Sequence, residues 1–92
     1  MIPYKILRFT APWCGPCKIL KPIYDEIVKE NPNPKIEYKT IDVDEDAALS
    51  VLHQVRGIPT IIYLKNDREV FRLVGFREKQ TILDGIERLL ND

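Results

Sequence analysis

Apolar and polar residues follow two different periods along this chain, and the places where the period changes mark its elements. Residues 4–10, YKILRFT, are rich in β-branched and aromatic types and predict a strand. Ala11-Pro12 breaks it. From Gly15 to about Glu30 the apolar positions are Ile19, Leu20, Ile23, Tyr24, Ile27 and Val28, at helical spacing, with Lys18, Lys21, Asp25, Glu26 and Lys29 on the opposite face. Pro22 lies inside this helix and predicts a kink. NPNP at 31–34 stops it.

Residues 35–43, KIEYKTIDV, predict a second strand. Asp44 then suits the N-cap of a short helix running to about Gln54, with Glu45 and Asp46 in its first turn favoured by the helix dipole. GIPT at 57–60 interrupts, and residues 60–65 and 69–75 predict two strands joined as a hairpin by Asn66-Asp67-Arg68. A last helix from about Glu78 to Leu90 should bury Ile82, Leu83, Ile86, Leu89 and Leu90. With no internal repeat or linker, the order β-α-β-α-β-β-α predicts one α/β domain over residues 1–92. Its first two strands, joined through a helix, should be parallel with a right-handed crossover, and the hairpin antiparallel. A four-stranded mixed sheet with helices on both faces packs these elements economically.

Composition narrows the function classes. At 92 residues the chain can hold a modest core without staples. It carries 14 basic and 14 acidic residues, so it has no basic footprint for nucleic acid. No apolar run approaches the ~20 residues of a membrane span. Lys5 and Arg8 interrupt the one apolar stretch near the amino end. No export signal is therefore expected, and the expected compartment is the reducing cytoplasm.

Against that background the only two cysteines stand in Trp13-Cys14-Gly15-Pro16-Cys17-Lys18, behind the only tryptophan. A staple over so short a loop removes little unfolded-state entropy, and permanent disulfides are rare in a reducing compartment. Zinc needs four ligands, and the only other soft candidate, His53, falls on a separate predicted helix, so no metal is expected. His53 itself reads as a surface or boundary residue. An iron–sulfur cluster shared between two chains would also use the pair, but the intervening Gly-Pro favours redox turnover. At a strand-to-helix junction, unpaired amides and the dipole stabilise a thiolate, so Cys14 should be an exposed nucleophile of lowered pKa. Cys17, one turn on, should be more buried. Gly15 and Pro16 close the turn, Pro16 at no hydrogen-bond cost. Lys18 is either an aid to the thiolate or an ordinary helix-surface lysine.

WCGPCK resembles the active site of the thioredoxin family. The resemblance extends to Pro22, to IDVDED at 41–46, to VRGIPT at 55–60 and to VG at 74–75, nearly the whole chain. It implies the thioredoxin-like fold and thiol–disulfide exchange at Cys14 and Cys17 with no cofactor beyond that pair. It implies a cis peptide before Pro59, and a shallow apolar groove for a client chain lined by Trp13, Gly57, Ile58, Pro59, Gly75 and Phe76. It also implies a hydrogen bond from the indole of Trp13 to Asp44. The implied partners of this monomer are a flavoprotein reductase of the thioredoxin-reductase type, fed by NADPH, and clients such as ribonucleotide reductase or peroxidases. The chain has no Gly-rich fingerprint with which to bind nucleotide itself.

Three features depart from the family pattern. An initial strand and helix usual in the family are missing, which gives a glutaredoxin-like size. Arg8 stands where the family usually places a buried Asp, and Thr40 stands where it places the lysine partner of that Asp. Arg8 stays protonated and cannot serve as a base. Near Cys17 it would favour thiolate and a more oxidising protein; alternatively it snorkels to the end of the sheet and pairs with an acid. Two other functions compete. A glutathione-dependent, glutaredoxin-like enzyme suits the size, but a Gly-Gly-Asp-type segment is absent, the region after the last strand reading VGFREK. A protein-binding clamp would not need both thiols.

Overall fold

The computed structural model describes all 92 residues. Its elements are β1 (Tyr4–Thr10), α1 (Gly15–Glu30), β2 (Ile36–Asp42), α2 (Ala47–Leu52), β3 (Thr60–Lys65), β4 (Arg68–Val74) and α3 (Lys79–Leu90). The order is the one the periodicity predicts. The strands form one mixed sheet, β2-β1-β3-β4. β1 pairs parallel with β2, and β3 pairs antiparallel with both β1 and β4.

The two central strands are covered on both faces, which explains their near-continuous apolar runs. On one face Ile6, Ile61 and Tyr63 pack against Leu20, Tyr24 and Ile27 of α1 and Ile82, Ile86 and Leu89 of α3. On the other, Leu7, Phe9, Ile41, Ile62 and Leu64 pack beneath Leu49 of α2 and Val55. Successive side chains of a strand point to opposite faces. Arg8 therefore shares the α1 face with Ile6, and the register Arg8↔Thr40 sets it beside Thr40 of β2.

Four local expectations change. The cap of α2 is Asp46, whose side chain accepts from Leu49 N at 3.0 Å, and not Asp44. Asp42 Oδ1 first turns the chain by accepting from Asp44 N at 2.8 Å, which delays the helix. Gln54, at φ 54°, then lies outside it. The hairpin turn is only Asn66-Asp67, both at positive φ, and Arg68 already belongs to β4. Ile19 and Leu90 lie on the rims of their helices and are exposed, Ile19 at 62%. Pro22 sits inside an uninterrupted α1.

The α3–β3 contact is tight at one point. Buried Tyr63 donates to Ile82 O at 2.9 Å and stacks on Phe71. Its ring lies against Gly85, where a Cβ would stand 2.5 Å from the phenolic oxygen and 2.6 Å from Cζ. Gly85→Ala should therefore lower stability by about 1–3 kcal/mol through overpacking. A urea-unfolding midpoint equal to that of wild type would contradict this.

Candidate active site at the amino end of α1

β1 ends at Thr10, and Ala11, Pro12 and Trp13 carry the chain to the amino end of α1. Cys14 is the N-cap there, with extended backbone (φ −88°, ψ 112°), and its Sγ accepts a hydrogen bond from Cys17 N at 3.2 Å. One amide left over at a helix start is thus satisfied by sulfur rather than by the usual oxygen. Pro16, in the first turn, has no amide to satisfy. Cys14 and Cys17 are joined as a disulfide, with Cα atoms 5.2 Å apart.

The expectation of a solvent-facing Cys14 needs correction. Cys14 is 5% exposed and Cys17 1%, packed with Ala11 against Val43 and Ile58. Cys14 is bonded to Cys17 and keeps the greater exposure of the two. Ile58 O lies 3.9 Å from Cys14 Sγ. The bonded sulfur has no proton to donate, so this is a contact only.

Of the residues expected to line a groove, Ile58 packs against this pair. The Ile58–Pro59 peptide is cis, as the resemblance implies. Thr60 Oγ1 donates to Gly57 O, and Gly75 N donates to Pro59 O at 2.8 Å. Gly75 adopts φ 88°, a left-handed conformation that favours glycine. Phe76 and Val74 beside it are exposed. Trp13 is 68% exposed, and its Nε1 donates to Asp44 Oδ2 at 2.8 Å. A shallow hollow of about 130 Å³ runs between Trp13, Val43, Val55 and Gly57-Ile58. Sequence reasoning missed Val43 and Val55, whose only signal was an apolar residue on either side of a short helix. His53 stays apart at the end of α2, edge-on to Phe9. No group of three or more His, Cys, Asp or Glu side chains is placed to hold a metal.

Arg8 does not reach an acid. It is 3% exposed, its Nη2 donates to Thr40 Oγ1 at 3.2 Å, and its guanidinium lies 5.1 Å from the ring centre of Tyr24. Nε is sealed from solvent with no partner. Burial pushes the pKa of Arg8 down, partly offset by Tyr24 and Asp25. The snorkelling expectation fails because position 8 of the central strand faces α1, and the guanidinium bonds to Thr40 and rests beside Tyr24 instead of pairing with an acid at the sheet's end. Arg8 instead lines an open cleft of about 460 Å³ together with Cys17, Lys18 and Thr40.

Asp44→Ala should leave the exposed indole freer, lowering the steady-state fluorescence anisotropy of the single tryptophan. The cost to stability should stay below about 1 kcal/mol, because the pair is solvent-exposed. An unchanged anisotropy would show that this bond does not hold the ring.

A family model described as Thioredoxin matches residues 3–88. The chain is 40% identical over 83 residues to the thioredoxin of Rickettsia typhi, covering 90% of this chain and 78% of that one. It is 37% identical over 86 residues to the chloroplastic M-type thioredoxin of Spinacia oleracea, covering 94% of this chain but 47% of the spinach sequence. Among solved structures, thioredoxin NaTrxh of Nicotiana alata superposes with a TM-score of 0.85 at 30% identity, covering 96% of this chain and 74% of that one. A single helix-capping disulfide on this sheet, with the family match running almost end to end, places the chain in the thioredoxin family.

Proposed function

We propose that the chain is a thiol–disulfide oxidoreductase of the thioredoxin type that reduces protein disulfides. The observation that carries this reading is the Cys14–Cys17 pair capping α1 beside Ile58. In the reduced protein the Cys14 thiolate attacks one sulfur of a client disulfide. A mixed disulfide forms, and the other client sulfur leaves and takes a proton. The Cys17 thiolate then attacks Cys14 Sγ, releasing the second client sulfur and closing the intramolecular bond seen here. Two electrons pass to the client. A flavoprotein reductase drawing on NADPH would return them, and the clients would be proteins that form a disulfide in each cycle, such as peroxidases or ribonucleotide reductase. The proposed compartment is the cytoplasm, which keeps such a pair reducible. Trp13, Gly57, Ile58, Pro59, Gly75 and Phe76 would receive the client chain, with Asp44 holding the indole. Gly15 and Pro16 would keep the turn closed in both redox states, while Lys18 adds positive charge nearby.

Arg8 would take part by charge alone. It shares a cleft with Cys17 and lacks a counter-carboxylate, so it favours the thiolate of Cys17 over the thiol. Stabilising the reduced form makes a protein more oxidising.

Insulin reduction driven by dithiothreitol tests the activity. Wild type should accelerate precipitation and Cys14→Ser should not; no acceleration by wild type would remove the reading. Recharging of the oxidised form by glutathione, and not by a flavoprotein, would move the protein to the glutaredoxin-like class. Arg8→Asp should lower the reduction potential by at least ~30 mV, the equivalent of ~1.4 kcal/mol for a two-electron couple. An equal potential in the two proteins would take Arg8 out of the redox balance.

A further inference from the structure

The cleft behind Cys17 holds more positive charge than one thiolate can answer. Its lining includes three cations, Arg8, Lys18 and Lys21, with the hydroxyls of Thr10 and Thr40 and one carboxylate, Asp42. Lys18 and Lys21 are three apart on α1 and so share its face. Lys21 is paired with Asp25 at 2.7 Å. Asp42 is engaged through Oδ1 with the amides of Asp44 and Glu45, and it forms no ion pair with Arg8.

Arg8 is the decisive residue. A guanidinium keeps its proton, so at 3% exposure the molecule carries a buried positive charge. Removing such a charge from water costs several kcal/mol unless a counter-charge or a full set of hydrogen bonds offsets it. Here its one hydrogen bond goes to a neutral hydroxyl, Nε has no partner, and the Tyr24 ring supplies only a cation–π contact. Thr40 and Arg8 both line the cleft and touch through Nη2. A guanidinium fork is matched to oxyanions.

We propose that this cleft is a binding site for a compact tetrahedral oxyanion of the phosphate or sulfate class, held by Arg8 with Lys18, Lys21, Thr10 and Thr40. At about 460 Å³ the cleft admits such an ion together with water. Its lining cations and hydroxyl residues come from two strands and a helix, so they surround an ion from more than one side, which suits a tetrahedral oxyanion. Occupancy is also coupled to the redox state, a part that rests on the disulfide-exchange reading. A Cys17 thiolate adds negative charge to the same cleft, so the oxidised protein binds the ion more tightly. By linkage, the bound ion favours the disulfide by the same factor.

The test is a titration of the oxidised protein with inorganic phosphate, followed by amide and arginine side-chain NMR shifts at constant ionic strength set with chloride. This measurement needs no thiol exchange, so it can fail while insulin reduction succeeds, or the reverse. Saturable shifts centred on Arg8, Thr40 and Lys18 are expected, with sulfate competing and acetate at least tenfold weaker. Arg8→Gln should weaken phosphate at least tenfold. If that variant does not fold, Lys18→Gln/Lys21→Gln on the exposed helix face should still weaken it at least threefold. The reduced protein should bind at least threefold more weakly. No saturable shift in the wild type, unchanged affinity in the folded variants, or saturation by acetate in preference to phosphate would overturn the site. Equal affinity in the two redox states would overturn the coupling.

Discussion

The hydrogen bond from the Cys17 amide to Cys14 Sγ is the contact on which the active end depends. A helix must begin with amides that nothing inside it can satisfy, and in most proteins an oxygen meets that need. Here the acceptor is sulfur, so the requirement of helix α1 and the placement of the nucleophile are one and the same. β1 fixes where this happens. It is central, covered on both faces, and it ends just before Ala11-Pro12, so the first turn of α1 can start at only one place over the sheet. The loop before β3 then closes over the sulfur from the other side, through Ile58.

The same central strand makes the unusual feature of this molecule unavoidable. Any residue at position 8 faces α1 within the covered layer. A neutral side chain there would be easy to accommodate, and a carboxyl could take up a proton and become neutral. Arginine forces a permanent charge into a place where only a hydroxyl and an aromatic ring answer it. Proteins seldom keep such a charge without a use. In the proposed reaction its charge would act on Cys17, whose two redox states differ by the charge that Arg8 would attract.

Much of this was legible in the sequence because the signals are local. The β1 and α1 boundaries follow from one change of period and from a break at Ala11-Pro12. The element order followed for the same reason, and parallel pairing of β1 with β2 follows from a helical connection. What was not legible depends on competition between equivalent residues. Asp42, Asp44 and Asp46 can all cap; only the folded chain shows that Asp42 holds a turn and Asp46 starts α2, which leaves Asp44 to the Trp13 bond that the resemblance implies. The burial of Cys14 comes from Val43 and Ile58, residues distant in the sequence that pack against it, which spacing alone does not reveal. For Arg8 the sequence offered a place near Cys17 or an acid at the sheet's end, and the structure sets it in a cleft with Cys17 and pairs it with no acid.

The Gly75–Pro59 backbone bond ties the loop that bears Phe76 to the loop that bears Ile58. If a client chain docks there in the proposed reaction, pressure on the outer loop would pass through this bond to the inner one, and with it to the carbonyl resting against sulfur. A poorly fitting client would then be penalised in speed as well as in adhesion.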